Sequence, residues 1–216
     1  MVDKENEQMV RYLKKNGYIT KKRVEDAFLK CPRKLFVPEG FEYEAYNDYP
    51  LPLGRNSTIS ASHMVAMMTE LLDPKPGEKI LEIGMGSGWQ ACILSQLVGK
   101  NGIVVTVEID KDVYSFGKKN IQKVKCENVI AVHGDGSLGY KKMAPYDGVL
   151  VTAAVPKKIP EELISQLKKN GRIVAPIEKS RWNQVLIYGK KINNKLSIKE
   201  LANVSFVRLR GMFGFK

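Results

Sequence analysis

From residue 79 onward, short apolar runs alternate with longer segments in which apolar residues recur at helical spacing. Short apolar runs are typical of strands buried on both faces, whereas spacings of three and four residues predict helices. The pattern predicts strands at 79–83, 103–108, 128–132, 147–152, 171–176, 184–190, 195–201 and 204–209, and helices at about 89–98, 111–124 and 157–169. This alternation predicts an α/β fold with a doubly wound, mainly parallel sheet. Since no helix separates the last three strands, that edge of the sheet is predicted to be antiparallel.

The first 78 residues have a different pattern. Two short helices are predicted at 2–16 and 20–30, with Thr20 as the cap of the second. Residues 39–60 have no clear period, and a loop of this length in a compact domain is often functional. We expect residues 1–78 to pack as a lid on the carboxyl edge of a core formed by 79–216, within one structural unit. A further helix, capped by Ser62 or Ser60, is predicted to reach Leu72, with four residues facing inward: Val65, Ala66, Thr69 and Leu72.

Composition favours one globular unit in a reducing compartment. The chain has 216 residues and is 44% hydrophobic, which is enough for a full core and argues against disorder. No apolar run approaches the ~20 residues that span a bilayer, and the charged N-terminus does not resemble a signal peptide. Cys31, Cys92 and Cys126 are odd in number and lack C-x-x-C spacing, which favours buried thiols over disulfides or zinc. We therefore expect a cytoplasmic protein without a metal or a membrane partner.

The net charge of +12 raises the question of a nucleic-acid partner. Much of the excess lies in scattered lysine pairs, several of them on predicted helices, where such pairs usually mark solvated faces. The chain has no long basic tail and no interleaving of basic and aromatic residues. A basic surface also attracts anionic substrates such as carboxylates. Nucleic acid is therefore an open but less favoured partner.

The strand at 79–83 runs directly into a glycine-rich turn. Its sequence is acid-x-G-x-G-x-G, with Glu82 followed by Gly84, Gly86 and Gly88. Glu108 ends the next strand, where a carboxylate can accept both hydroxyls of a ribose. Strand, glycine turn, helix, strand and acid together predict a nucleoside cofactor at the carboxyl edge of the sheet. The spacing differs from the G-x-G-x-x-G of dinucleotide sites and resembles motif I of S-adenosylmethionine-dependent methyltransferases, whose cofactor carries an ammonium and a sulfonium.

A third strand is followed by the pair Asp135 and Gly136. The same edge of the sheet therefore gains another carboxylate, in order with those of Glu82 and Glu108. We expect Asp135 to accept a hydrogen bond from the adenine amino group, and Gly136 to let the base approach. An ordinary turn aspartate is the alternative interpretation.

Four segments of the chain resemble the protein-L-isoaspartate (D-aspartate) O-methyltransferase family. The resemblance runs from about Cys31 to Gly211, and its most specific part is Thr-Ile-Ser-Ala-Ser-His at 58–63. Ser62 and Arg208 stand where the family usually has proline, and neither change removes a chemical group that the reaction needs. The other matching stretches are Cys-Pro-Arg-Lys-Leu-Phe-Val-Pro at 31–38, Ala-Tyr-Asn-Asp at 45–48, Leu-Pro-Leu-Gly at 51–54, the glycine motif at 81–90, and the short motifs at 134–136, 144–147 and 151–154.

The resemblance implies a repair enzyme that transfers the methyl group of S-adenosylmethionine to the α-carboxylate of L-isoaspartyl residues in damaged, flexible proteins and peptides. A carboxylate has a pKa near ~4, so it is already a nucleophile at neutral pH and needs no general base. Catalysis then depends on alignment and desolvation. The alternatives are an S-adenosylmethionine-dependent tRNA methyltransferase and a non-catalytic nucleic-acid- or nucleoside-binding protein on the same scaffold.

The resemblance also assigns residues around the reaction. Ser60 is the expected catalytic residue, with a hydroxyl that donates to the acceptor carboxylate; a helix cap is the alternative. Thr58, Ile59 and His63 are expected to bind the cofactor, together with Glu82, the three glycines of the turn, Glu108, Asp135 and Gly136. The substrate is expected to meet an apolar wall and a small residue at a strand end: Tyr46, Leu51, Leu53 and Ala154. The alternative for Tyr46, Leu51 and Leu53 is that they form the core of the lid.

Overall fold

The computed structural model describes residues 3–181, 183–193 and 195–215. Its elements are, in chain order, α1 (Lys4–Lys15), α2 (Lys22–Lys30), β1 (Leu51–Gly54), β2 (Ser57–Ile59), α3 (Ser62–Leu72), β3 (Lys79–Ile83), α4 (Trp89–Val98), β4 (Ile103–Glu108), α5 (Lys111–Lys123), β5 (Val129–His133), β6 (Tyr146–Val151), β7 (Val155–Pro156), α6 (Glu161–Ser165), β8 (Leu167–Ser180), β9 (Asn183–Ile192) and β10 (Lys195–Val204). Short 3₁₀ helices lie at Arg33–Phe36, Glu42–Glu44, Gly136–Leu138 and Lys141–Met143.

The central sheet is mainly parallel, as the sequence predicts. Its strand order is β10-β9-β8-β6-β3-β4-β5, with β7 paired to β8. The strands from β5 to β8 pair in parallel, whereas β8, β9 and β10 form the predicted antiparallel edge. The chain leaves β3 for β4 and β5 on one side and then returns to β6 on the other. This reversal creates a crevice at the carboxyl ends of β3, β4 and β6, where open α/β sheets bind ligands.

The two faces of the sheet contribute to separate cores. Ile80 and Val104 lie in a core shared with α4 and with the N-terminal helices, including Val10 of α1 and Phe28 of α2. Leu81 and other alternate residues of the same strands face a second core, which includes α6 and the segment after β10. Residues from the first 78 positions are therefore packed into the larger core.

Two predicted elements are wrong. The helix predicted at 157–169 is only Glu161–Ser165, because Leu167 already pairs with Tyr146 as the start of β8. Asn170 follows in the left-handed region at φ 63°, so the helical spacing of apolar residues there does not reflect a helix. The strand predicted at 204–209 also fails, since β10 ends at Val204 and the following residues leave the sheet to bridge with Ala154.

The predicted caps of α2 and α3 are wrong as well. The helices themselves form, and the four residues of α3 that were predicted to face inward are buried. Val2, in the first predicted helix, lies outside the described residues. Thr20 does not cap α2, because its backbone N–H and its hydroxyl both donate to Glu70. Ala61 occupies the cap position of α3 and has no capping side chain. The N–H of His63 instead donates to Asp48, a residue of the preceding loop.

Candidate active site

A cavity of about 1060 Å³ opens at the crevice between the strands. Its floor is formed by the glycine turn after β3 and by the ends of β4 and β6. One wall is the loop and helix start at 56–65, and the opposite wall is the segment at 203–210. The predicted site residues that line it are Thr58, Ile59, Ser60, His63, Gly84, Gly86, Glu108 and Gly136.

The glycine turn is shaped by its own protein neighbours. Gly84, Gly86 and Gly88 all have positive φ, at 90°, 54° and 84°, a region that glycine adopts without strain. A Cβ on Gly84 would collide with the hydroxyl of Thr152, and one on Gly88 would lie 2.8 Å from Cγ1 of Ile121. At Gly84 and Gly88 the absent side chains therefore make room for β6 and α5.

Both carboxylate oxygens of Glu108 accept backbone hydrogen bonds, and the residue still lines the cavity. It is 6% exposed, and its Oε2 accepts the N–H of Gly86 at 3.1 Å, while Oε1 accepts the N–H of Asp110 at 3.1 Å. Each carboxylate oxygen has a second lone pair. Glu108 is thus a fixed carboxylate acceptor at the end of β4 that lines the cavity.

Glu82 lies below the cavity and does not line it. The side chain is fully buried, with Oε2 accepting the hydroxyl of Thr106 at 2.5 Å and Oε1 without any hydrogen-bond partner among the described residues. Burial raises the pKa of Glu82 to about 8, with the nearby Glu108 carboxylate adding to the increase and the Thr106 bond opposing it. The acid of the glycine motif is therefore protonated at neutral pH.

The carboxylate of Asp135 is occupied by other parts of the chain. Oδ1 accepts from the N–H and the hydroxyl of Ser137, and Oδ2 accepts the N–H of Met212 at 2.7 Å. Asp135 does not line the cavity, whereas its neighbour Gly136 does, and a Cβ on Gly136 would lie 2.6 Å from Cγ2 of Ile83. An adenine amino group at Asp135 would share or displace the contact with Met212.

Arg33 organises the loop that carries Ser60, and the sequence prediction had assigned it no role. It is fully buried, and its guanidinium donates to the carbonyl oxygens of residues on both sides of the loop. Burial lowers the pKa of Arg33 to about 10, so it keeps its charge at neutral pH. The five acceptors are the carbonyls of Ala45 at 2.7 Å, Asn47 at 3.1 Å, Tyr49 at 3.0 Å, Ile59 at 3.4 Å and Ser60 at 3.1 Å.

Ser60 has its backbone fixed and its hydroxyl free. The carbonyl is held by Arg33, while the hydroxyl forms no hydrogen bond to any residue of 3–181, 183–193 or 195–215. The side chain does not cap α3, which begins two residues later. The Ser60 hydroxyl is therefore available to donate a hydrogen bond to a ligand in the cavity.

The residues predicted to contact substrate do not line the cavity. Tyr46 points away from it and donates its hydroxyl to Asp3. Leu51 is 1% exposed in the core, and Leu53 packs behind Gly86. Ala154 is buried because its N–H and carbonyl pair with Val207 and Leu209, both at 2.8 Å. Tyr46, Leu51 and Leu53 therefore belong to the core of the N-terminal region or pack against it, which is the alternative interpretation of these residues.

The opposite wall of the cavity comes from the end of β10 and the residues that follow it. The segment 203–210 lines it throughout, and Arg208 is held there by a bidentate ion pair with Glu178 at 2.7 and 2.9 Å. Arg210 lies 3.7 Å from Asp110, two residues after Glu108 in sequence. The sequence had predicted a strand over 204–209, and Arg208 had been noted only as a departure from the family pattern.

The residues present fit a cofactor with a nucleoside and a positive charge. The fixed carboxylate of Glu108, the open glycine turn and the unpaired hydroxyl of Ser60 lie around one cavity. Within 3–181, 183–193 and 195–215, no group of three or more His, Cys, Asp or Glu side chains comes together as a metal site. Nor does any described helix have the length and apolar character required to cross a bilayer.

Comparison with known proteins identifies the family. The family model of protein-L-isoaspartate(D-aspartate) O-methyltransferase matches residues 4–213. The chain belongs to this family. A protein-L-isoaspartate O-methyltransferase from Methanopyrus kandleri is 44% identical over 97% of this chain and 93% of its own length.

Solved structures of protein-L-isoaspartate O-methyltransferases share the fold. One has a TM-score of 0.89 at 32% identity and covers 97% of this chain and 67% of its own. Another, from Plasmodium falciparum and in complex with S-adenosyl-L-homocysteine, has a TM-score of 0.84 at 28% identity, with coverages of 94% and 97%. These matches confirm the predicted family and fold class, and they do not favour the tRNA methyltransferase or the non-catalytic protein.

Proposed function

We propose that this chain is a repair methyltransferase that esterifies the α-carboxylate of L-isoaspartyl residues in damaged proteins and peptides. The observation that carries the proposal is the free hydroxyl of Ser60, on a loop anchored by Arg33, in the same cavity as Glu108 and the glycine turn. The membership of the chain in the protein-L-isoaspartate O-methyltransferase family supports the same reaction.

The cofactor is S-adenosylmethionine, which when bound supplies an electrophilic methyl group on a positively charged sulfur. Glu108 would hold the ribose hydroxyls, and Asp135 with Gly136 would recognise the adenine. Thr58, Ile59 and His63 would contact the cofactor from the loop side. Gly84, Gly86 and Gly88 keep the turn open beneath it, and the neutral Glu82 supports the turn from below.

Ser60 would position the acceptor. The α-carboxylate of isoaspartate is ionised at neutral pH and is the nucleophile, so no residue has to remove a proton. The Ser60 hydroxyl donates to one carboxylate oxygen and leaves the other oxygen free to react. Since Arg33 holds the carbonyl of Ser60, the backbone that carries this donor is preorganised, which favours acceleration by a single hydrogen bond.

The substrate would occupy the remaining space between the loop and the segment at 203–210. Leu51 and Leu53 contribute by supporting the loop from behind, and Tyr46 by tying it to Asp3. Ala154 anchors the opposite wall through its two backbone bonds. A flexible chain can enter this open crevice more easily than a folded one, so unstructured isoaspartyl segments are the expected partners.

The proposed location is the cytoplasm. Cys31, Cys92 and Cys126 are all buried free thiols. Burial strongly raises the pKa of the Cys31 thiol, which keeps it unreactive. Unpaired cysteines of this kind are typical of proteins from a reducing compartment.

The function is tested by methyl transfer to an isoaspartyl peptide beside its aspartyl twin of identical sequence. We expect base-labile methyl incorporation into the isoaspartyl peptide and little into the twin, because only the isoaspartyl linkage presents an α-carboxylate at that residue. Labelling of both peptides to the same extent, or labelling of RNA alone, would contradict the proposal.

A further inference from the structure

Asp48 makes two contacts with one residue of the cavity wall. Its Oδ1 lies 2.9 Å from the backbone nitrogen of His63 and 2.9 Å from Nδ1 of the same imidazole. The first contact supplies the missing cap of α3, since Ala61 has none to offer. The second fixes the ring itself. The rotation of the ring is limited further by Tyr18, whose ring centroid is 5.3 Å away.

Asp48 is held in place by the same anchor as Ser60. Arg33 donates to the carbonyl oxygens of Asn47 and Tyr49, the two residues that flank Asp48. The backbone on both sides of the carboxylate is therefore tied to a buried guanidinium. This makes the position of Asp48 relative to His63 a property of the folded loop.

These contacts decide which nitrogen of His63 carries the proton. An ionised carboxylate can only accept hydrogen bonds, so in the neutral imidazole Nδ1 must be the protonated nitrogen. Nε2 is then an acceptor with a free lone pair. In the described part of the chain Nε2 has no hydrogen-bond partner, although His63 lines the cavity.

We propose that Asp48 is a positioning residue that holds His63 as the Nδ1–H tautomer, so that Nε2 accepts a hydrogen bond from the ammonium group at the amino-acid end of the cofactor. The proposal rests on the proposed function, because it requires that the cofactor occupies this cavity. The His63 ring would recognise the charged end of the ligand, while Glu108 at the opposite side of the turn recognises the sugar.

The tautomer can be measured in the unmodified protein. The chain has only two histidines, so ¹⁵N-detected NMR gives two imidazoles, and His133→Gln assigns the remaining one to His63. At a pH about two units above the ordinary histidine pKa of about 6.5, we expect protonated Nδ1 and unprotonated Nε2. A protonated Nε2, or an averaged mixture of both tautomers, would overturn the proposal whatever the ligand of the cavity is.

The ligand contact is tested by comparing two ligands. S-adenosylhomocysteine carries the ammonium group, whereas methylthioadenosine keeps the nucleoside and lacks the amino-acid end. Asp48→Asn preserves an oxygen for the α3 cap but removes the charge that selects the tautomer. We expect it to weaken S-adenosylhomocysteine binding by about threefold to tenfold, the range for one hydrogen bond, with methylthioadenosine binding unchanged. An equal loss for both ligands, or no loss for either, would contradict the ammonium assignment.

A matched control separates positioning from stability. Glu70 also accepts backbone N–H groups, from Thr20 and Lys21, and so ties α3 to the N-terminal region without touching His63. Glu70→Ala should lower the melting temperature while leaving the His63 tautomer and both affinities unchanged. If the wild-type protein bound neither ligand, the proposed function would fail, and the tautomer result would still stand alone.

Discussion

Arg33 and Glu82 are both fully buried, and each is accommodated in a different protonation state. Arg33 remains charged at neutral pH because burial lowers its pKa only to about 10, and five carbonyl oxygens accept from its two terminal nitrogens although Nε has no partner among the described residues. Glu82 has one hydroxyl donor and an oxygen without a partner, so it takes up a proton instead. The hydrogen-bond partners around Arg33 and Glu82 thus differ in a way that matches their protonation states at neutral pH.

The protonation of Glu82 makes the stability of the protein depend on pH. The folded state holds this proton up to a pKa of about 8, whereas the ordinary pKa of a glutamate is 4.5. The stabilisation that comes from the neutral form is therefore complete below about pH 4.5, falls as the pH rises, and is lost above about 8. Glu82→Gln removes this titration, so relative to wild type the variant should gain about 2–4 kcal/mol in the free energy of unfolding between pH 5 and pH 9.

Urea unfolding at pH 5, 7 and 9 in the absence of ligand measures this difference. A stability difference between Glu82→Gln and wild type that does not change with pH would show that Glu82 is ionised in the folded protein.

Ser60→Ala tests the role of the serine hydroxyl. Loss of one preorganised donor should reduce single-turnover methyl transfer by about tenfold to a thousandfold. S-adenosylhomocysteine affinity should stay nearly constant, since the proposed cofactor contacts lie elsewhere. The structure separates this effect from folding, because α3 is capped by Asp48 and Ser60 makes no side-chain bond that folding would lose.

Ser62→Ala is the matched control for Ser60. The Ser62 hydroxyl is buried against the sulfur of Met9, at 3.1 Å. Its removal should affect the melting temperature and leave turnover unchanged. Normal turnover in Ser60→Ala would remove Ser60 from the reaction.

At the scale of elements, the glycine turn depends on a glycine in the neighbouring helix. Gly117 lies within α5, and a Cβ there would overlap the carbonyl oxygen of Gly86 and lie 2.9 Å from Cε of Met85. The absence of a side chain at Gly117 lets α5 pack directly against the turn. The floor of the cavity is therefore formed jointly by β3 and by a helix that does not line it.

Gly117→Ala should consequently destabilise the protein. In an ordinary helix interior this change is favourable by about 1 kcal/mol, but here the obstructing atom is backbone and cannot rotate away. We expect a net loss of about 1–3 kcal/mol, in the range for overpacking, together with weaker S-adenosylhomocysteine binding. Ser115→Ala, at an exposed position of the same helix, is the control and should be close to neutral in urea unfolding. A stabilised Gly117→Ala protein would show that α5 can shift without affecting the turn.

Helices and strands whose bounds follow from the local sequence pattern were predicted well. Those whose bounds depend on contacts with residues distant in the sequence were not. The bounds of β3 and β4 were predicted correctly because each strand is a short apolar run with a clear end in the sequence, a glycine after β3 and a glutamate at the end of β4. The helical spacing at 157–169 was misleading, because Leu167 is held by its pairing with Tyr146. The Asp48 cap of α3 lies fourteen residues before the helix begins, where no short-range rule would find it.

At the scale of the whole molecule, the cavity brings together segments that are remote in sequence. Its lining extends from Pro50 to Arg210. The sequence predicted the residues that follow parallel strands, such as Glu108, because sheet topology fixes where strand ends meet. It did not predict that Ala154 and Asp135 would be occupied by the segment after β10, since those contacts join residues 53 to 77 positions apart. The wall formed by that segment is the part of the site that only the folded structure reveals.

The contacts of Arg33 have a consequence for how this enzyme can change. All five of its acceptors are main-chain carbonyl oxygens, and every amino acid supplies one. The bonds of Arg33 therefore depend on the backbone conformation of the loop and not on the identity of its side chains. Side chains at Ala45, Asn47 and Tyr49 can be exchanged without removing a single bond to the guanidinium. Substitutions of these side chains therefore leave in place the main-chain bonds that hold the backbone of Ser60.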